Sequence, residues 1–400
     1  MPIAETILVI NAGSSSIKLS LYEIEDGGGL HLDSKAEVDG IPGRAHLVAR
    51  DAQGAVIADH EYGADDVPDV AAAMERAAGW LRDRLGGTMP VAVGHRVVHG
   101  GPGYTSPVAV DDAVLAALEG LVPLAPLHQP QNLAPIRAIR ERFPGIQNVA
   151  CFDTAFHRTH GEVADRYALP EPLYREGVRR YGLHGLSYEF IARTLPRVAP
   201  EIAGGAVVVA HLGSGASMCA MRGGRSIDST MGFSALDGLP MGTRCGQLDP
   251  GVLLYLLRKG NGVEALERLL YHDSGLLGLS GFSNDVRDLL ASADPGARLA
   301  LDYFVYRAGR EIASLAGALG GIDALVFTAG IGENSPEMRA RICARLEWLG
   351  IRLDTDANRH GGPRISNPQS PVSAWVIPTD EERMIAEHTL QISRSRKEEA

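Results

Sequence analysis

Thr6-Ile7-Leu8-Val9-Ile10-Asn11-Ala12-Gly13-Ser14-Ser15-Ser16-Ile17-Lys18-Leu19-Ser20-Leu21-Tyr22 is the stretch on which the fold turns. Residues 7–10 form an apolar run rich in β-branched side chains, and Ile17, Leu19 and Leu21 then alternate with Lys18, Ser20 and Tyr22. An apolar strand, a turn of small residues and a returning strand of period two read as a hairpin. Further along, Val207-Val208-Val209-Ala210 runs into His211-Leu212-Gly213-Ser214-Gly215 and then into residues 216–221. Gly213 and Ser214 stand 200 positions after Gly13 and Ser14, and strand, turn and returning strand superimpose in that register. The match suggests a duplicated domain with one hairpin turn per half.

Outward from the hairpins, strands and helices alternate. Val70, Met74, Ala77 and Leu81 share one face of a helix over 66–85, and residues 91–98 read as a buried strand. Helical patterns follow over 111–121 and 130–143, then a strand over 148–152, while Asp26 to Gly29 marks a loose loop. Ala324 to Thr328 is another apolar strand, followed by a glycine turn over 330–334 and a helix from Pro336, with Glu337 in its first turn. Such alternation predicts an α/β fold.

The chain has 400 residues, 45% hydrophobic and 22% charged, with 38 basic against 49 acidic side chains and a net charge of -11. That length suggests two or three domains, and the apolar content excludes disorder as the main state. No basic stripe offers itself to a phosphate backbone, so nucleic acid is not an expected partner. An acidic surface repels small anions, so an anionic ligand has to be drawn in by local cations. Cys151, Cys219, Cys245 and Cys343 form no C-x-x-C pair, as expected of a reducing compartment. The start of the chain shows no signal-peptide pattern, and no run approaches eighteen apolar residues, so a soluble, cytoplasmic protein without membrane contact is expected. Only Lys18, Lys35, Lys259 and Lys397 are lysines.

Turns of glycine and serine let backbone N–H groups converge on phosphate oxygens, because no Cβ blocks the approach. Three candidates each follow an apolar strand: 13–16, 213–217 and 330–334. Any one alone reads more plainly as a tight turn; three together point to a nucleotide held between two halves. A Walker A loop is absent because no lysine is placed for it, and residues 330–335 lack the third glycine of a dinucleotide fingerprint. Neither G-x-S-x-G nor H-E-x-x-H occurs. Lys18 follows the first turn, where a solvated strand face is the plainer reading, and Asn11 could orient a metal-bound water. Arg96 and Asp153 fall at strand ends, and His184 and Arg244 lie in glycine-framed loops. Ligands of α/β proteins bind at such strand ends.

At these residues the sequence resembles the acetate kinases. The segments that carry the resemblance are Asn11 to Lys18, Gly94 to Gly101, Pro123 to His128, Cys151 to His157, His211 to Ser217, Met231 to Pro250, Thr328 to Asn334 and Ile377 to Glu382. They cover nearly the whole chain in the family's order. The resemblance implies an α/β fold of two duplicated actin-like (ribonuclease H-like) domains with an ATP cleft between them. Domain one would be residues 1–151 plus about 387–400, and domain two, 152–386, would bind the nucleotide. A homodimer is implied, as is the reversible reaction ATP + acetate to ADP + acetyl phosphate.

By the same resemblance, Arg96 would pair with the substrate carboxylate, as a planar donor fork can. His184 and Arg244 match the pair that contacts the phosphoryl group in flight. Asp153 matches the catalytic aspartate, and physically it suits the orientation of an arginine or of hydrated Mg²⁺. Asn11 and Glu381 match the magnesium positions, with Mn²⁺ as an alternative ion. Lys18, His211, Leu212, Gly213, Ser214, Gly215, Asp285, Val286, Arg287, Gly330, Ile331, Gly332, Glu333 and Asn334 match the ATP-binding segments. Val98, Leu127, Leu183 and Ala235 would line the acetate pocket.

Three departures stand out: Ser214 where the family usually has Asn, Leu183 where Phe is common, and Ala235 in place of a Pro. Smaller residues at the last two enlarge the pocket, so propionate should be tolerated, and a propionate or short-chain fatty acid kinase is the alternative reading. A non-catalytic ATPase of the same superfamily would leave Arg96, His184 and Arg244 without a task. A dinucleotide enzyme is weakened by the missing glycine.

Overall fold

The computed structural model describes residues 5–13, 16–41, 43–63 and 65–399, the last four by backbone alone. Ser14 and Ser15 of the first serine turn lie outside the described residues. The chain divides into two units, residues 1–155 with 380–400, and residues 156–379.

The first unit is built on an eight-stranded sheet: β1 (Thr6–Ala12), β2 (Ile17–Ile24), β3 (Leu30–Asp39), β4 (His46–Asp51), β5 (Val56–Glu61), β6 (Ala92–Val97), β7 (Val108–Ala109) and β8 (Gln147–Phe152), in the order β5-β4-β3-β2-β1-β6-β8-β7. β1 lies inside the sheet, antiparallel to β2 and parallel to β6. Such a strand is buried on both faces, which is why residues 7–10 read as a continuous apolar run. The helix Val70–Arg84 places Ala73 and Ala77 against β-sheet residues Leu8, Ile10, Leu19 and Ala36. Its N-cap Asp69 accepts from the N–H of Ala72, which starts the helix four residues later than the periodicity predicts.

Helix Glu381–Glu399 packs on β1, β6 and β8 of this unit. Gly94 makes the approach feasible, because a Cβ there would overlap Thr389 Oγ1 and Ile385 Cγ2. Asp380 Oδ1 accepts from the N–H of Arg383 and caps the helix. The units therefore divide at 155/156 and 379/380, not at the expected 151/152 and 386/387. A break at 386/387 would cut through one continuous, capped helix.

In the second unit, β9 (Ala206–Leu212), β10 (Ala216–Arg222), β11 (Arg225–Ser229), β12 (Ala324–Thr328) and β13 (Ser373–Val376) form a sheet of order β11-β10-β9-β12-β13. Every residue of β9 is buried. Helix Gly185–Val198 packs Tyr188, Ile191 and Leu195 against Val207, Val209 and Met221, and helix Pro295–Leu319 also packs on β9, β10 and β11.

The two sheets share a topology. β3-β2-β1-β6-β8 and β11-β10-β9-β12-β13 have the same order: an antiparallel three-strand meander whose first strand continues into two parallel neighbours. The duplication expected from the hairpins is present at the level of strand order and sense.

The third expected glycine turn is a different object. Residues Ala329–Asn334 are a short helix, followed by a second helix over Pro336–Ala344. Ala329 takes the left-handed conformation at φ 64° and makes the reversal in one residue, so no open turn remains. Glu333 Oε1 fixes the helix by accepting from the N–H of Ala329 at 2.7 Å and of Thr379 at 3.1 Å.

All four cysteines are free thiols, and among the described residues no helix is long and apolar enough to cross a membrane.

Candidate active site

In the first unit, β6 and β8 end side by side and deliver Arg96 and Asp153 to one spot. Arg96 Nε lies 3.1 Å from both Asp153 carboxylate oxygens, and Nη2 donates to Asp153 Oδ2 at 2.7 Å. Nη1 of Arg96 donates to Asn11 Oδ1 at 3.3 Å, from the end of β1, and Glu381 Oε2 lies 3.9 Å from Arg96 Nε. Four residues far apart in sequence thus form one charge cluster. Asp153 is only 1% exposed. Burial works against the charge of Arg96, yet the carboxylates of Asp153 and Glu381 outweigh it and raise its pKa. Burial pushes the Glu381 carboxyl up to about 7; Arg96 pulls it down, and Asp153 adds to the rise.

The second unit gathers His184, His211, Arg244 and the glycine turn. His184 has φ 57° and precedes helix Gly185–Val198 as its N-cap residue. Its ring stacks on that of His211, centroids 4.2 Å apart and planes 15° apart. His184 Nδ1 is 2.8 Å from Ser217 Oγ, and His211 Nδ1 is 2.8 Å from Ser187 Oγ. Helix histidine meets strand serine, and strand histidine meets helix serine. A Cβ placed on Gly215 would stand 3.3 Å from both His184 Nε2 and Arg244 Nη2. One placed on Gly213 would stand 3.9 Å from His211 Nε2 and 3.7 Å from the Ala329 Cβ. The turn is therefore lined by one guanidinium and two imidazole edges. Arg244 is steadied by donating from Nη1 to the Ala235 carbonyl at 3.0 Å.

Other expected residues fall as follows. Leu212 ends β9, and the Ser214 carbonyl accepts from the N–H of Gly242 at 3.3 Å. Val98 is buried just after β6, with its N–H on Asn132 Oδ1, and half-buried Leu127 precedes helix Gln129–Arg142. Leu183 and Ala235 are buried in the second unit, and the Leu183 carbonyl accepts from His157 Nε2 at 2.9 Å. Lys18 lies 3.7 Å from its cross-strand neighbour Glu37, half exposed, which is the solvated strand face. Asp285 caps helix Val286–Ala291 through the N–H of Arg287 and binds that residue's guanidinium, which holds its carboxyl below the usual range; Val286 is buried. Gly330, Ile331, Gly332 and Asn334 belong to the short helix, where Asn334 Nδ2 donates to the Gly330 carbonyl.

Ser217 is a correction. It was expected in a phosphate turn, yet it lies within β10, fully buried, bonded to His184 and to Tyr188 Oη. Tyr188 and Ser187 went unread in the sequence; their spacing of four and three residues after His184 on one helix is the signal that could have found them.

Known proteins share this fold over nearly the whole chain. The crystal structure of a propionate kinase from Francisella tularensis subsp. tularensis SCHU S4 superimposes with a TM-score of 0.88 at 34% identity, covering 97% of this chain and 100% of that one. The acetate kinase of Porphyromonas gingivalis does so with a TM-score of 0.84 at 36% identity, with the same coverage. Both of these proteins are kinases named for a small carboxylic acid. At the level of sequence, the acetate kinase of Nitrobacter hamburgensis is 60% identical over 389 residues, 97% of this chain and 96% of that protein. The Acetokinase family pattern matches residues 6–387, and the chain belongs to that family.

Proposed function

We propose that the protein transfers the γ-phosphoryl group of ATP directly, in line, to acetate, giving ADP and acetyl phosphate, and runs in reverse. The observation that carries this reading is the convergence of Arg244 Nη2 and His184 Nε2 on Gly215. Acetate is already ionised at neutral pH, so the reaction needs no strong base. It needs two anions gathered and the charge on the moving phosphoryl group offset. Arg244 supplies that charge, while His184 and His211 supply ring N–H groups at the glycine turn.

In the first unit, Arg96 would bind the acetate carboxylate. Nε and Nη2 of its fork face Asp153 and Nη1 faces Asn11, so the substrate would share a guanidinium already fixed in place. Asp153 then orients Arg96 and takes no proton from the substrate. Asn11 and Glu381 would hold Mg²⁺, or Mn²⁺, since both offer hard oxygen atoms. A buried carboxyl pushed toward protonation is one that a divalent cation returns to its charged form. When bound, the ion supplies further neutralisation of phosphate charge. Residues 211–215, 285–287 and 330–334, with Lys18, are assigned to ATP.

A homodimer is supported by helices Pro250–Arg258 and Val263–Tyr271. The first buries none of its side chains, and Leu254, Tyr255 and Val263 are exposed by 53%, 55% and 70%. An apolar face of this kind marks a contact surface. The reading includes a cytoplasmic home and no nucleic-acid or membrane partner.

Purified protein with ATP, acetate and Mg²⁺ should form ADP and a hydroxylamine-trappable acyl phosphate. Failure both to form a trappable acyl phosphate from ATP and acetate and to form ATP from ADP and acetyl phosphate would end the reading. Propionate is the second acceptor to try, because Leu183 and Ala235 are small. Equal kcat/KM for the two acids would favour the short-chain fatty acid kinase.

A further inference from the structure

Ser217 Oγ has one proton and lies between His184 Nδ1, at 2.8 Å, and Tyr188 Oη, at 2.5 Å. Ser217 and Tyr188 are both 0% exposed, so water does not rearrange these bonds. Two orders of donation fill the chain. Either Tyr188 donates to Ser217 and Ser217 to His184, or His184 donates to Ser217 and Ser217 to Tyr188. A phenol is a far stronger acid than an aliphatic alcohol, and an unprotonated imidazole nitrogen is a far stronger base than a phenol oxygen. Both differences favour the first order. His184 Nδ1 is then an acceptor, and the neutral ring carries its proton on Nε2.

That nitrogen is the one facing Gly215 beside Arg244 Nη2. A guanidinium at the same spot disfavours a second positive charge, so a neutral N–H is the donor that suits the site. Resting on the assignment of this turn to the moving phosphoryl group, we propose that Tyr188 and Ser217 are positioning residues that hold His184 as its Nε2–H tautomer, a neutral hydrogen-bond donor to the phosphoryl oxygens. Tyr188 lies one turn beyond His184 on the same helix, with its N–H on the His184 carbonyl at 3.1 Å. Ser217 faces His211 across the β9–β10 ladder, beneath the stacked ring. Tyr188 and Ser217 are therefore held by helix and strand, and His184 sits at the residue that begins that helix.

The test is the ¹⁵N spectrum of histidine-labelled protein without substrate, at a pH where His184 is neutral. Wild type should show a pyridine-like Nδ1 and a pyrrole-like Nε2 at His184. Ser217→Ala should bring in the Nδ1–H form and lower kcat about tenfold, the scale of one hydrogen bond to a charged group, with KM for ATP nearly unchanged. Ser217→Thr, which keeps the hydroxyl, should restore both. Tyr188→Phe removes only an oxygen and serves should Ser217→Ala not fold; it should move the tautomer in the same direction. A protonated Nδ1 in wild type, or an unmoved tautomer in Ser217→Ala and Tyr188→Phe, would overturn the proposal. Full turnover in His184→Ala would instead overturn the assignment of the turn, and the tautomer result would stand apart from it.

Discussion

The ring of His184 lies flat against that of His211, centroids 4.2 Å apart, and each ring is tied by Nδ1 to a serine on the other's element. Helix and strand thereby exchange partners, and both Nε2 atoms are left directed at Gly213 and Gly215. Neither ring can rotate without breaking a hydrogen bond at the far side. If the turn holds the moving phosphoryl group, ring nitrogens fixed in this way would meet it without reorganisation.

Gly215 follows from that geometry. Gly215→Ala would put a methyl group 3.3 Å from Arg244 Nη2 and His184 Nε2, so both must give way. The shift required is a few tenths of an ångström, against the full ångström that can cost about a hundredfold in rate. Turnover should fall several-fold, to about tenfold, while Tm changes by only a few degrees. Steady-state kinetics beside thermal unfolding would check this, and near-normal kcat would remove the turn from the reaction.

If Arg244 meets the moving phosphoryl group, its removal should separate binding from chemistry. Arg244→Ala should reduce phosphoryl transfer by about a hundredfold or more, the scale of one lost transition-state donor, while ATP binding by calorimetry stays within a few-fold. Arg244→Lys should recover little, since a point charge does not replace a planar fork. Loss of ATP affinity equal to the loss of kcat/KM would assign Arg244 to ground-state binding.

The Arg96–Asp153 pair carries a stability cost on both sides. Asp153→Asn takes the nearer of two counter-charges from a guanidinium that is 21% exposed, and breaking a fully buried pair costs about 3–5 kcal/mol, which is the upper limit here. Urea unfolding should show that loss together with lost activity. The double variant Arg96→Gln with Asp153→Asn should regain much of the stability and none of the activity. A stable single variant would mean that Asn11 and Glu381 already suffice to hold the arginine.

Two buried histidines, His95 and His157, and the half-buried His160 set an acid limit. Burial pushes His95 and His157 down to about 4 and His160 down to about 2, against an ordinary value near 6.5. Each is neutral when folded and binds a proton more readily when unfolded. Their contribution to stability is thus whole above pH 6.5 and declines as pH falls toward 4. Urea midpoints between pH 8 and pH 4.5 should drop below 6.5, and the His95 and His157 rings should remain neutral at pH 5.5 by NMR. Rings that titrate near 6.5 would contradict the burial.

Much of this was legible in the sequence because burial on both faces writes an apolar run, as in β1 and β9. The meander β3–β5 was passed over, although Leu30, Ala36 and Val38 are buried at the alternating spacing of a strand; β5 is largely exposed and leaves no such trace. Arg96 and Asp153 stood out as charges at the ends of apolar strands. Ser217 did not, since its bond to His184 spans 33 positions between helix and strand. The helix at 329–334 depends on a left-handed alanine and on the reach of Glu333 to Thr379, neither of which has a local signature.

Acceptor choice tests the two small residues. Leu183 and Ala235 are 5% and 8% exposed, and each carbonyl holds a neighbour, His157 or Arg244. Leu183→Phe adds bulk and Ala235→Pro removes a backbone N–H while leaving the carbonyl to Arg244. If these side chains bound the acetate methyl group, both variants should lower kcat/KM for propionate more than for acetate. One methylene is worth about 1–3 kcal/mol, so the ratio should move by ten- to two-hundredfold at most. Wild type should accordingly turn over propionate at a measurable fraction of the acetate rate. A wild type that rejects propionate, with variants that leave the ratio unmoved, would place the limit on acceptor size elsewhere in the site.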